Sequence, residues 1–402
     1  MRSSRLAQVA VFLAVAVAVQ LLAVHGGKGY LLTQLTMSAY YTLVVIGLSL
    51  LMGFAGQISL GHAGFFAVGG YTSAALTTWD LSAHGGSGMA SALAVAGVLV
   101  SRPDPYGGQV LVVHAWAAFG CAVALSAMLA FLVGIPVLRL KGHYLAMATL
   151  GVGTIIFSIA LGTQPLGAAD GISSVPPFQV VRGLAVGGSA SVRVSNYYLA
   201  CALLAGGMLL LLNLIDSRVG RALRAIHGAE DAARAMGVDT AGFKLRTFVL
   251  SAVMAAVAGA FLTHYNGGIG PSEASIMKSV KYVAIVAVGG MGSLWGTLST
   301  SLALNFLSLR GYFGSFDDAV FGGILILVML FAPGGVLAVD VRRALGPLLR
   351  RVRRRPAEAG REAGAVGHGA EPADAEPADA GPPHAAGPPP LRLDDDVREE
   401  RG

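Results

Sequence analysis

Charge is what this chain has least of. Only 12% of its 402 residues are Asp, Glu, Lys or Arg, about half the share of roughly 25% found in soluble domains. With 54% hydrophobic residues and repeated apolar runs of about 18 residues or more, the scarcity excludes an ordinary soluble protein and indicates a polytopic membrane protein. Cysteine is nearly absent. Cys121 and Cys201 both fall inside apolar runs, which supports neither a disulfide framework nor a cysteine metal site, and both read as small buried hydrophobes. Carboxylates are almost missing from the apolar segments. A proton- or sodium-coupled carrier usually keeps an ionisable group near mid-membrane, so energy input from elsewhere is favoured, with facilitative conduction left open. HExxH, CxxC, GxSxG and the Gly-x-x-x-x-Gly-Lys-Ser/Thr phosphate loop are all lacking, so no enzymatic chemistry and no nucleotide hydrolysis are assigned. The net charge of +6 lies beside the apolar segments and forms no stripe for nucleic acid.

What is present is organised around Leu50–Leu76, LLMGFAGQISLGHAGFFAVGGYTSAAL. Gly53, Gly56, Gly61, Gly64, Gly69 and Gly70 make it a crowded face on which helix backbones approach closely. Gln57, Ser59 and His62 suggest a lined solute pathway or an interhelical hydrogen bond. His62 fits either role, and a structural tie between a broken helix and its neighbour is the plainer one. A second Gly-interrupted stretch, Gly289–Gly296 with Gly290 and Gly292, lies in the other half of the chain, as in a transporter with internal pseudo-symmetry.

In chain order the apolar segments are Leu6–Val24, Leu35–Phe54, Gln57–Thr78, Leu111–Pro136, Tyr144–Leu161, Asn196–Ile215, Phe248–Tyr265, Val280–Val288, Leu294–Leu307 and Phe316–Phe331. The first resembles a signal peptide but reads as a retained span, because many spans come after it. Ala90–Val100 is too short to cross and reads as re-entrant or interfacial. The expectation is an all-α polytopic protein with about ten crossings, some short or Gly-broken. Both termini then lie inside, with Arg2, Arg5, Arg139, Lys141, residues 216–246 and residues 342–355 on the cytoplasmic side.

Residues 216–246 hold six basic and four acidic side chains. From Arg221 to Met236 the spacing predicts one amphipathic helix with Leu223, Ile226, Ala229, Ala233 and Met236 on its apolar face, stopped at Gly237. That face needs a cover. Arg221, Arg224, Glu230 and Asp231 are candidates for pairing with a cytoplasmic protein, or an ordinary charged loop. Residues 1–341 read as the membrane domain. Residues 342–402 read as a basic, lipid-facing cluster followed by a disordered Pro/Ala/acidic tail.

Five blocks carry a resemblance. GFAGQISLGHAGFFAVGGYTSA (Gly53–Ala74), LRLKGHYLAMATLGVG (Leu138–Gly153), Ala222–Phe261, SVKYVAIVAVGGMGSLWGTL (Ser279–Leu298) and GGILILVMLFAPGGV (Gly322–Val336) come in that order. Together they resemble the LivM/LivH-type permeases of branched-chain amino acid ABC importers, and the LivM type more than the LivH type. The resemblance implies a subunit of the bacterial cytoplasmic membrane that binds no cofactor. It would pair with a homologous LivH-like permease, two cytoplasmic ATPases using ATP and Mg, and an extracytoplasmic solute-binding protein. It implies that the Ala222–Gly237 helix, with Arg221, Arg224, Ile226, Glu230, Asp231, Ala233, Met236 and Gly237, couples to an ATPase that covers its apolar face. It places Gln57, Ser59, His62, Gly64, Gly289, Gly290 and Gly292 at the substrate pathway or in helix packing. Asp170, Gly171 and Glu273 would lie in external loops facing the binding protein. The chain departs from many relatives at Thr154 and Phe157, where an acidic and a basic residue are common. An importer for urea or short amides and a stand-alone carrier or channel are the alternatives; a structural membrane protein stands third.

Overall fold

The computed structural model describes residues 2–82, 97–103, 109–140, 142–181 and 183–331. It is helical: α1 (Arg2–His25), α2 (Leu31–Ala55), α3 (His62–Thr78), α4 (Ala115–Val137), α5 (His143–Gly162), α6 (Arg193–Ile215), α7 (Arg218–Gly228), α8 (Glu230–Ala235), α9 (Thr240–Asn266), α10 (Ile276–Gly289), α11 (Leu294–Leu309) and α12 (Asp317–Phe331). Three short antiparallel ladders trim the loops: β1 (Leu99–Pro103) with β2 (Gln109–Val113), β3 (Ile172–Ser173) with β6 (Gly268–Ile269), and β4 (Phe178–Val181) with β5 (Leu184–Val186).

Six of these helices, not ten segments, are long and apolar enough to cross a membrane: Arg5–His25, Leu31–Ala55, Ala115–Val137, His143–Gly162, Ala190–Ile215 and Thr240–Asn266. The expectation of ten overcounted because the Gly-rich segments make shorter helices. α3, α10, α11 and α12 have 17, 14, 16 and 15 residues. The expected span from Gln57 begins only at His62, since residues 57–61 are not helical. Leu111–Val113 is strand, so α4 starts later than its hydropathy suggested. Of the stretch read as re-entrant or interfacial, Leu99 and Val100 form strand and residues 90–96 lie outside the described residues, as does the whole tail from residue 342.

The core is an antiparallel pair. Tyr40 of α2 stacks on Phe261 of α9, and further along Gly47 meets Met254 and Ser251. Both helices end in a left-handed glycine, Gly56 at φ 67° and Gly267 at φ 70°, where a side chain would strain the backbone. Each glycine opens a link without α-helix that leads to a short α-helix. α3 then runs parallel to α9, with His62 at Ser251 and Ser73 at His264. α10 runs parallel to α2, with Lys278 at Tyr41 and the subsequent Met291 carbonyl against Gly53. Residues 56–78 and 267–289 are thus similarly placed, each following a long helix through a left-handed glycine. The first turn of α3 meets α10 where the Ala63 N–H donates to Ser279 Oγ at 3.2 Å.

Around this core, α11 lies antiparallel to α2 through Thr42–Ser301 and Ser49–Thr297 contacts of 3.0 and 3.3 Å. α1 lies antiparallel to α6, with the Tyr197 hydroxyl on the Ala16 carbonyl and Arg5 paired to Asp216 at 2.6 Å. Arg5, Asp216, the end of α2 and the start of α9 thus share one end of the bundle. Gly134 packs on Leu245, which brings the end of α4, before Arg139, to the same end. Cys201 is buried as expected; Cys121 is exposed.

Candidate translocation and coupling sites

The broken segment after α2 alternates in burial: Gly56 and Ile58 are exposed, while the polar side chains between and beyond them turn inward. Gln57 and Ser59 are almost fully buried. Ser59 Oγ lies 3.0 Å from His62 Nδ1, and His62 Nε2 lies 2.7 Å from Ser251 Oγ. His62 therefore ties the link and α3 to the middle of α9, so the structural role expected for it is the one its geometry fits. Gln57 differs. Its backbone N–H closes the end of α2 on the Leu51 carbonyl, but both polar atoms of its side chain are buried without a hydrogen-bond partner among the described residues.

The predicted glycines divide by surroundings. Gly64 faces Ile156 and Gly153 of α5, and Gly289 lies against the Thr297 backbone of α11. Gly290, at φ 92°, turns the chain between α10 and α11, whereas Gly292 faces open space. Gly290 also touches α11, its carbonyl accepting from the Thr297 hydroxyl at 3.4 Å, so Gly292 alone of the four faces open space.

The charged segment is two helices, not one. Ala229 is extended at φ −156°, and α7 and α8 meet there at an angle that the even spacing of apolar residues did not reveal. Nor does the apolar face wait for a partner. Leu223, Ile226 and Ala233 are buried by this chain itself, with α7 packed on α2, α6 and α9, while Ala229 is exposed and Met236 is 85% exposed. Arg224 is turned to its own chain, donating to the Ile215 carbonyl at 2.6 Å. Glu230 is held by Lys244 at 2.5 Å and by Arg234 at 3.4 Å. Arg221, Asp231 and Gly237 are on the surface, and Gly237 closes α8 at φ 82°. His227 of α7 sits against Gly56, so this unit touches the very residue at which α2 breaks.

At the opposite end a cavity of about 360 Å³ is lined by Asp170, Glu273, Phe66, Leu262, Ile269 and the glycine-rich backbone after α9. Glu273 is not at an external loop tip. It reaches Tyr41 and Lys278 inside the bundle. Sequence reasoning placed Glu273 by its turn-forming neighbours and missed this pairing; the one available signal was an acid and a base five residues apart, flanking an apolar helix.

A bundle with six candidate spans, a long helix broken at Gly56 and a charged helix docked at one end defines a multi-pass membrane protein. Residues 30–330 match the family model described as branched-chain amino acid transport system / permease component, and the chain belongs to that family. It is thereby a permease subunit of an ABC importer, a non-catalytic component. It is similar to the high-affinity branched-chain amino acid transport system permease protein LivM of Salmonella typhimurium, 31% identical over 322 residues, covering 75% of this chain and 68% of the relative. LivM of Escherichia coli K12 is 30% identical over the same shares. BraD of Pseudomonas aeruginosa is 26% identical, covering 76% of this chain and 94% of the relative. No solved structure matches.

Proposed function

We propose that this chain is one half of a heterodimeric importer that moves branched-chain amino acids inward by alternating access. A LivH-like permease completes the pathway, an extracytoplasmic binding protein delivers solute, and two ATPase subunits hydrolyse ATP with Mg. The names of the relatives support the substrate, since LivM, LivH and BraD are all called branched-chain amino acid permeases. The observation that carries the coupling assignment is the α7–α8 unit. One face is fixed to the bundle through Leu223, Ile226 and Ala233, while Met236 stands almost free beside exposed Arg221 and Asp231.

In this reading an ATPase grips Arg221, Asp231, Met236 and Gly237. Ile226 and Ala233 fix the unit to the bundle, and Arg224 and Glu230 keep it rigid. Movement of α7 reaches the pathway at Gly56 through His227, then passes along residues 57–61 to α3. Gln57, with a buried amide that has no hydrogen-bond partner among the described residues, is the pathway residue most suited to bond solute or the partner permease. Ser59, His62, Gly64, Gly289 and Gly290 serve packing. The end bearing Arg5, Arg139 and α7 faces the cytoplasm of a bacterial inner membrane, and both termini lie on that side.

The test is uptake in cells with the gene deleted and restored, using labelled leucine and urea in parallel. Loss and recovery of leucine uptake, quenched by excess isoleucine or valine, is the expected result. A defect confined to urea would transfer the same architecture to an amide substrate.

A further inference from the structure

The link between α9 and α10 carries two charges to a place where charge is costly. Glu273 lies in the 3-10 turn Pro271–Ala274 and Lys278 in the first turn of α10, with carboxylate and ammonium 2.5 Å apart. The Tyr41 hydroxyl is 3.2 and 3.3 Å from the two carboxylate oxygens and accepts from Lys278 Nζ at 3.1 Å. The same ammonium stands 4.9 Å from the centre of the Tyr41 ring. Tyr41 is ten residues past Leu31, hence about 15 Å down α2 from its first residue. The pair is therefore well inside the bundle, though the side chains remain 18% and 29% exposed.

A half-buried ion pair adds little to stability once desolvation is counted. An ionisable group at membrane depth points instead to a pathway. Two further observations point to a ligand. The 360 Å³ cavity opens beside Glu273 and sets its carboxylate and that of Asp170 against apolar Phe66, Leu262 and Ile269. Tyr71 and Tyr282, electrostatic neighbours of Glu273, keep buried hydroxyls with no hydrogen-bond partner among the described residues.

We propose that the Glu273–Lys278 pair is a binding station for a zwitterionic amino acid inside the permease. The solute ammonium exchanges onto Glu273, its carboxylate onto Lys278, and its aliphatic side chain enters the cavity beside Phe66 and Leu262. Tyr71 and Tyr282 supply hydroxyls to the separated charges. One ion pair becomes two, and the net charge of the pair is unchanged. A simple cation or anion would strand one member of the pair, and an uncharged amide would leave the pair closed. The proposal rests on the branched-chain amino acid reading and names how the permease itself recognises that class.

The experiment is labelled leucine uptake by the complete importer in cells carrying Glu273→Gln, Lys278→Met, or both, with assembly checked by co-purification of its partner subunits. Each single change is expected to lower uptake by about tenfold or more, and the double change to be no better. If the pair only holds the fold, the double variant strands no charge and recovers uptake, which would overturn the station. Tyr282→Phe removes one unpartnered oxygen and little else, so it reports even if the charge variants fail to assemble. It is expected to lower uptake about threefold at sub-saturating leucine, and unchanged uptake would count against the proposal. A wild-type importer that moves urea but not leucine would remove the substrate reading and the station together, visible before any variant is compared.

Discussion

α1 and α2 are neighbours in sequence, both long enough to cross a membrane, and they occupy opposite surroundings. The most apolar stretch of α1 is greasier than that of α2, yet only 22% of it is buried, against 89% in α2. α1 exposes Leu6, Val11 and Leu22. α2 buries Thr36, Ser38, Thr42 and Ser49, whose hydroxyls bond to carbonyls of their own helix or to α11. Lipid tails are as apolar as leucine, so burial in a bilayer is decided by close packing and hydrogen bonding instead of hydrophobicity. The helix with the greasier stretch is accordingly the peripheral one.

Changes that enlarge the small residues of the core should separate the two regions most. A Cβ on Gly259 of α9 would overlap the Phe66 carbonyl of α3. Gly259→Val is expected to cost about 3 kcal/mol or more, read as a fall in melting temperature of the purified protein. Next comes His62→Ala, which strands the Ser59 and Ser251 hydroxyls in a buried site. A cost of about 1–3 kcal/mol is expected. Adding Ser251→Ala should then cost less than it does alone, because the two act as one contact.

Smaller structural effects sharpen the contrast from the other side. Met236→Asp, on the exposed end of α8, should leave melting within about 0.5 kcal/mol while lowering uptake by about tenfold, as loss of an interface anchor does. Normal uptake would argue against Met236 as a docking residue. Leu22→Ala on α1 should change neither stability beyond about 0.5 kcal/mol nor uptake. A large loss there would mean that a partner covers α1 and that its exposure belongs to the isolated chain alone.

Much of the fold was readable because long apolar runs have one solution in lipid. The helices over Leu31–Ala55 and His143–Gly162 fall close to where hydropathy put them, whereas Thr240–Asn266 contains the expected Phe248–Tyr265 but starts about eight residues earlier. The breaks were not readable to the residue. Glycine marks where a helix is able to stop, but whether it stops there depends on tertiary neighbours. Gly53, inside α2, is kept by the nearby Met291 carbonyl, whereas Gly56 ends the helix. The α7–α8 break at Ala229 had only the signal of Gly228 followed by the acidic pair Glu230 and Asp231, which the apolar spacing running through it outweighed. Its apolar face was assigned to a missing partner because sequence does not say that α2, α6 and α9 pass beneath it. The ion pair of Glu273 was hidden for a similar reason: its third member, Tyr41, is 232 residues away.

The meeting of α3 and α10 at Ala63 and Ser279 has an electrical consequence. Both helices begin there, and a helix start carries about half a positive elementary charge. Two such ends meet inside the bundle, where the charge of the Lys278 ammonium is already balanced by Glu273. Positive half-helix ends of this kind hold back cations and protons in membrane channels. Were this junction to line the open pathway, the two helix starts would favour a neutral solute over sodium or protons, and the membrane voltage would survive each transport cycle.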